Sequence, residues 1–67
     1  MLRIEIEREE DGRWLGEVVD LPGVMAYGVT EAVARRNIEA LALRVIADRI
    51  EHGETVPPAA SEFFALA

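Results

Sequence analysis

The sequence predicts a two-layer α+β domain in which one antiparallel sheet packs against one helix, in the order β-β-β-α-β. Three observations lead to this prediction. Residues 2–8 alternate between apolar and charged side chains, an Asp-Gly pair follows at a position suited to a hairpin, and residues 31–51 contain no helix breaker. No linker, internal repeat or low-complexity segment divides the chain, so we expect a single domain over residues 1–67.

The first two strands are predicted to form a hairpin. Alternation over residues 2–8 is typical of a half-buried strand, with Leu2, Ile4 and Ile6 on its apolar side. The Asp11-Gly12 pair suits the positive φ angles of a tight hairpin turn. A second strand over residues 13–19 should therefore run back antiparallel to the first.

Both sides of the second strand carry large apolar residues. Trp14 and Val18 lie on one side, whereas Leu15 and Val19 lie on the other. A hairpin loop of two or four residues would align Ile6 with the Leu15 side, and a loop of three residues would align it with the Trp14 side. Because Gly16 shares the Trp14 side and would let a helix backbone come close, the sequence favours helix packing on that side.

The remaining elements are marked by turn and cap residues. The segment Asp20-Leu21-Pro22-Gly23 should end the second strand, because Pro22 cannot donate to a strand ladder. A short third strand is predicted over residues 24–27, with Gly28 ending it. Thr30 is a suitable N-cap for a helix over residues 31–51, and Gly53 is the expected stop.

The helix is apolar over a wider arc than one sheet face requires. Stepping by 3.6 residues predicts a central stripe and a second stripe beside it. The central stripe contains Ala34, Ile38, Leu41, Ala42 and Val45, and the second contains Leu43, Ile46 and Ile50. This surplus predicts a dimer or a bound partner, unless residues 61–67, as a final strand or a docked tail, place Phe63 and Phe64 over it.

Composition limits the function classes. The 67 residues include 13 carboxylates and 7 Arg, a formal net charge of −6, and no Cys or Lys. A chain of this size buries only about 60% of its unfolded surface, so self-association to a homodimer or higher homo-oligomer is expected to add support. Scattered Arg residues do not form the basic footprint that nucleic-acid binding needs. Without a membrane-length apolar run or a signal-peptide pattern, we expect a cytoplasmic protein that binds no membrane.

The sequence offers no arrangement of residues that predicts catalysis or a cofactor. Glu5, Glu7 and Glu17 could share one sheet face and hold Mg²⁺, but alternating Glu and Arg is also how an exposed strand face stays soluble, and we favour that reading. His52, the only imidazole, lies in the last helical turn, where a cation is favoured. We therefore predict no catalytic residue, no metal site and no cofactor.

An ordered set of motifs resembles the HicB-like antitoxin family over nearly the whole chain. The set comprises an aromatic residue, a small residue two positions later, an Asp-Leu-Pro-Gly break, a Gly-x-Thr helix start, and a Gly and a Pro after the helix. The residues that carry it, with structural roles, are Trp14, Gly16, Asp20, Leu21, Pro22, Gly23, Gly28 and Thr30, followed by Ala34, Asn37-Ile38 and the segment 53–57.

The resemblance implies a partial RNase H-type fold and a protein that neutralises a small, basic, RNA-cleaving HicA-type toxin by binding it. The densest acidic stretch, offered as the partner-binding residues, is Glu5, Glu7, Glu9, Glu10 and Asp11. Two departures matter. Ala32-Val33 replace a carboxylate pair common in the family, and no C-terminal DNA-binding module is expected because the chain ends at Ala67.

Overall fold

A computed structural model describes all 67 residues and shows an α+β arrangement, as the sequence predicts. Three strands, β1 (Ile4–Arg8), β2 (Trp14–Val18) and β3 (Met25–Gly28), form an antiparallel sheet in the order β1-β2-β3. Helix α1 (Glu31–Glu51) packs across one face of this sheet, and a short 3-10 helix (Pro58–Phe63) follows it.

The β1–β2 hairpin closes through a three-residue loop, which sets the register of the sheet. The Glu9 N–H donates to the Arg13 carbonyl at 2.7 Å, and the Gly12 N–H donates to the Glu9 carbonyl at 3.0 Å. Within this loop only Gly12 has a positive φ, of 89°, so the tight two-residue turn expected from the Asp-Gly pair is replaced by the longer loop. Ile6 consequently lies opposite Gly16, and the Trp14 side of β2 faces α1, as Gly16 predicted.

Two glycines let α1 lie close to β2 and β3. A Cβ at Gly16 would lie 2.9 Å from Ile38 Cγ2, and a Cβ at Gly28 would lie 2.7 Å from Ala34 Cα. A larger residue at Gly16 would displace the Ile38 side chain, and a larger residue at Gly28 would displace the helix backbone. The helix therefore contacts β3 and β2 more extensively than β1.

The core is smaller than the apolar content suggests. On α1 its residues form one stripe, spaced by about one helical turn. Its buried members are Val18, Leu21, Val24, Ile38, Ala42, Ile46 and Ala60. The assignment of Ile46 to a second, outer stripe is wrong, because Ile46 continues the line of Ile38 and Ala42 against the sheet. Leu43 and Ile50 do lie outside the core, and about half of each residue's surface is exposed.

The Asp20-Leu21-Pro22-Gly23 segment ends β2 and also completes the core. Leu21 is fully buried, a role that the motif alone did not predict. The Asp20 carboxylate accepts hydrogen bonds from the Arg3 backbone N–H at 2.9 Å and from its guanidinium at 3.3 Å. The first bond is the main reason that the pKa of Asp20 lies below its ordinary value, and the guanidinium lowers it further. The turn is thereby tied to the chain just before β1.

The ends of α1 agree with the predicted caps. Thr30 Oγ1 accepts the Val33 N–H at 3.1 Å, and Gly53 takes a positive φ of 67° just after the helix. The Gly53 N–H then donates to the Ile50 carbonyl at 3.1 Å. No helix in the structure has the length and apolar character that crossing a membrane requires.

The final strand in the predicted order β-β-β-α-β is not formed. Residues 58–63 turn into a 3-10 helix because local bonds satisfy their backbone: the Ala60 N–H donates to the Pro57 carbonyl at 2.9 Å, and Ser61 Oγ donates to the Pro58 carbonyl at 2.7 Å. Ala60 docks into the core, but Phe63 is 52% exposed and Phe64 77% exposed. The tail therefore leaves the surplus apolar surface largely uncovered.

Candidate protein-binding surface

The sheet face turned away from α1, here called the open face, combines an apolar patch with carboxylates. Pairing across the three strands produces two rows. The first row is Glu7, Leu15 and Tyr27, and the second is Glu5, Glu17 and Met25. Tyr27 and Met25 are nearly half exposed, and Leu15 is partly buried between its neighbours.

The three carboxylates of the open face form no salt bridge within the chain. Glu5, Glu7 and Glu17 are all exposed, and together with Leu15 they line a small depression of about 60 Å³. Glu5 and Glu17 lie directly opposite each other on neighbouring strands, where like charges repel. A cationic group placed over this depression would relieve that repulsion.

Arg13 occupies one corner of the open face but does not neutralise it. Its guanidinium carbon lies 4.2 Å from the centre of the Tyr27 ring, and its Nε donates to Asp11 Oδ2 at 2.7 Å. The Arg13 backbone N–H and guanidinium together hold the pKa of Asp11 below its ordinary value. The charge of Arg13 is thus matched by Asp11 and not by the open-face glutamates.

The structure divides the predicted acidic stretch into two groups. Glu5 and Glu7 lie on the open face, whereas Glu9, Glu10 and Asp11 lie in the hairpin connection. Asp11 is engaged by Arg13, whereas the carboxylates of Glu9, which is partly buried, and Glu10, which is exposed, form no salt bridge. The five residues therefore do not form one continuous surface.

The motif residues occupy structural positions. Trp14 lies opposite Gly28 on the face under α1, and Gly16 and Gly28 provide the close approach of the helix. Pro22 and Gly23 form an exposed turn, with Gly23 at a φ of 86°. Asp20, Leu21 and Thr30 bond or pack as described above, so each motif position has a physical reason in this fold.

Other polar groups mostly bond to their own segment. Near the C-terminus of α1, His52 Nδ1 lies 2.7 Å from the backbone carbonyl oxygen of Asp48 and 3.4 Å from the Asp48 side-chain oxygen Oδ1. One ligand atom each from Asp48, His52 and Glu54 come within 4.8 Å of one another, a grouping that the sequence reading missed because Glu54 lies beyond the helix. All three are exposed, and a metal ion there would compete with the Asp48 carbonyl bond.

The sequence reading missed part of the open face. The sequence pattern predicts a solvated face shared by Glu5, Glu7 and Glu17, but it does not connect Met25 and Tyr27 with Leu15. Alternation within β2 and β3 shows which residues of each strand share a face. It does not show which of them are neighbours across strands, because that depends on the hairpin register.

In comparisons with protein-family models, curated proteins and solved structures, no match to this chain was found. The resemblance to HicB-like antitoxins therefore rests on the motif residues of this sequence.

Proposed function

We propose that this chain is a HicB-like antitoxin or antitoxin-related binding protein that neutralises a small basic HicA-type toxin by direct contact in the cytoplasm. The observation that carries the proposal is the open face, where three carboxylates that form no salt bridge within the chain line one depression with Leu15. Binding blocks the mRNA-cleaving toxin, and this chain performs no catalytic step of its own.

The open face has the composition of a protein interface on a small scale. Such interfaces combine an apolar centre enriched in Tyr and Met with a polar, solvated rim. Here Leu15, Tyr27 and Met25 form the apolar centre, and the glutamates form a negatively charged rim. A basic partner is favoured because opposite charge speeds the encounter and suppresses acidic competitors.

The motif residues support the family assignment within this proposal. Asp-Leu-Pro-Gly places Leu21 in the core, and Gly28 allows α1 to begin directly above β3. These roles explain why the residues occur in this order on these elements. Ala32-Val33, where the family often has carboxylates, lower the charge at the start of α1, so the proposal places the partner on the open face and not there.

The test uses the full chain and a small basic HicA-type toxin encoded beside it. Adding the chain should inhibit mRNA cleavage stoichiometrically, and the association rate should fall as salt shortens the Debye length to about 8 Å near physiological ionic strength. An absence of binding and inhibition at low salt would overturn the proposal.

A matched pair of variants locates the surface. Glu5→Gln with Glu17→Gln removes two carboxylates from the open face, and Glu51→Gln with Glu54→Gln removes two elsewhere. We expect the first pair to slow association by roughly tenfold and the second to change it little, because local charge steers docking. Equal effects of the two pairs would show that net charge alone matters and would reject the open face as the site.

A second candidate is a non-catalytic dimeric adaptor of the same fold with no toxin partner. It is favoured by a separate apolar groove of about 390 Å³ between β1 and α1, away from the open face. The adaptor would self-associate yet fail to inhibit the toxin, and the inhibition assay therefore distinguishes the two candidates.

A further inference from the structure

The outer edge of β1 carries unpaired backbone groups. The Arg3 carbonyl accepts the Val19 N–H at 2.9 Å, and the Glu9 N–H donates to Arg13, so the odd-numbered residues of β1 direct their backbone groups toward β2. The N–H and C=O groups of Leu2, Ile4 and Ile6 consequently point outward from the sheet. An edge of this kind is a template for another strand.

The same even-numbered residues border an apolar groove. Their side chains point toward the α1 side of the sheet, but α1 lies mainly over β2 and β3, so they are only partly buried. The groove includes Leu2 and Ile4 from the β1 side, Ala42 and Leu43 from α1, and Phe63 from the 3-10 helix. A strand added at the edge would therefore extend both a hydrogen-bonded ladder and an apolar floor.

We propose that a second copy of this chain occupies the β1 edge, with the two β1 strands antiparallel and the two-fold axis at Ile4. Ile4 then lies opposite the partner's Ile4, and Leu2 lies opposite the partner's Ile6. On the open face, Arg3, whose guanidinium also bonds to Asp20 of its own chain, lies opposite the partner's Glu5. The result is a continuous six-stranded sheet in which the two grooves adjoin across the axis.

The charge pattern of β1 selects this register. Antiparallel pairing keeps apolar residues on one face only when the two-fold axis passes through a residue. An axis at Arg3, Glu5 or Glu7 would place that charged residue opposite the same residue of the partner. An axis at Ile6 would place Glu5 opposite the partner's Glu7. Of the five axes at residues 3–7, only the axis at Ile4 brings opposite charges together and places no like charges opposite each other.

A second copy also suits the modest core. Only 9 of the 67 residues are buried, so covering Leu2, Ile4, Leu43 and Phe63 would add a substantial share of apolar burial. The dimer goes beyond the proposed function and does not depend on it, because it uses the β1 edge; on the open face it engages only Glu5, and Glu7, Glu17 and Leu15 stay accessible.

Cysteine cross-linking tests the axis directly, because the chain contains no Cys. Ile4→Cys places two thiols opposite each other across the axis, at a Cα separation of about 5.5 Å that a disulfide accepts. Ile6→Cys is the matched control, since four residues along the strand separate its two thiols by about 13 Å. We expect rapid oxidation to a covalent dimer for Ile4→Cys only, and equal cross-linking of both variants would overturn the register.

Sedimentation of the full chain, without toxin, tests the dimer itself. The unmodified chain should sediment as a dimer, and Glu5→Arg should raise the dimer dissociation constant at least tenfold by opposing the partner's Arg3. Glu10→Arg makes the same charge change in the exposed hairpin connection, which has no residue opposite it in this register, and should alter that constant less than threefold. A monomer for the unmodified chain, or equal effects of the two variants, would reject the proposal whatever the outcome of the toxin assay.

Discussion

Gly28→Ala provides the most direct test of how closely the helix packs on the sheet. Gly28 is the last residue of β3 and lies under the first turn of α1. A Cβ there would lie 2.7 Å from Ala34 Cα and 2.8 Å from the Val33 carbonyl carbon, and both of these atoms belong to the helix backbone. Its φ is not positive, so space and not backbone conformation requires glycine at this position.

The expected cost follows from the distances. Carbon atoms pack best at about 3.5–4.0 Å, so the helix start must move by about 1 Å to accept the methyl group. Overpacking of this kind costs about 1–3 kcal/mol, and the upper part of that range applies because a backbone, unlike a side chain, has no alternative rotamer. A domain of this length has a total stability of about 3–10 kcal/mol, so the change removes a large fraction of it.

The measurement is urea unfolding at one fixed protein concentration, followed by Trp14 fluorescence and far-ultraviolet circular dichroism. Trp14 is the only tryptophan and lies opposite Gly28, so its emission reports on this site. We expect Gly28→Ala to lower the free energy of unfolding by about 3 kcal/mol.

Two further variants separate steric overlap from other effects. Gly23→Ala, with no atom within 4 Å but a positive φ, should cost only about 1 kcal/mol. Adding Ala34→Gly to Gly28→Ala should not restore stability, because the overlap is with backbone atoms. A loss for Gly28→Ala no larger than that of Gly23→Ala would refute the close packing described here.

Three other substitutions test separate parts of the fold. Gly16→Ala should destabilise the protein by about 1–3 kcal/mol, and combining it with Ile38→Ala should give a favourable coupling of at least about 0.5 kcal/mol in a double-mutant cycle, because that overlap is with a side chain. Asp20→Asn should lower the urea midpoint at neutral pH. The carboxylate contributes above its unfolded pKa and loses its contribution as pH falls through its lowered folded pKa, so the difference should shrink below about pH 4, and a constant difference would exclude the Arg3 bonds as its cause. Thr30→Ala should cost about 1 kcal/mol in the same unfolding assay, whereas Thr30→Ser should cost little.

Local signals predicted most of the fold. Alternation predicted β1, the cap and stop residues predicted both ends of α1, and Gly16 indicated which side of β2 the helix covers. Each of these features depends either on residues that are near one another in the chain or on one position, Gly16, where the helix leaves no room for a side chain. Such requirements can be read from a pattern without knowing the rest of the structure.

The errors arose where the outcome depended on distant contacts. A wide apolar arc does not reveal how a helix is rotated on its sheet: Ile46 continues the buried line of Ile38 and Ala42, whereas Leu41 packs against the core but is only partly buried. Apolar content suggested a final strand at Phe63-Phe64, but the bonds that follow Pro57 satisfy the backbone locally. The open face was only half predicted for a similar reason, since Glu17 joins Glu5 through a register set by the loop length.

The two glycines that define the fold also explain its unpartnered surface. By allowing α1 to approach β2 and β3, they draw the helix away from β1, whose apolar side chains then form the floor of a groove. The edge of β1 and the open face share Glu5 but differ in chemistry: the edge offers unpaired backbone N–H and C=O groups, and the open face offers carboxylates beside Leu15. A second copy at the edge pairs Glu5 with the partner's Arg3 and leaves Glu7, Glu17 and Leu15 of both open faces uncovered. Self-association and capture of a basic partner are therefore compatible in one small acidic chain.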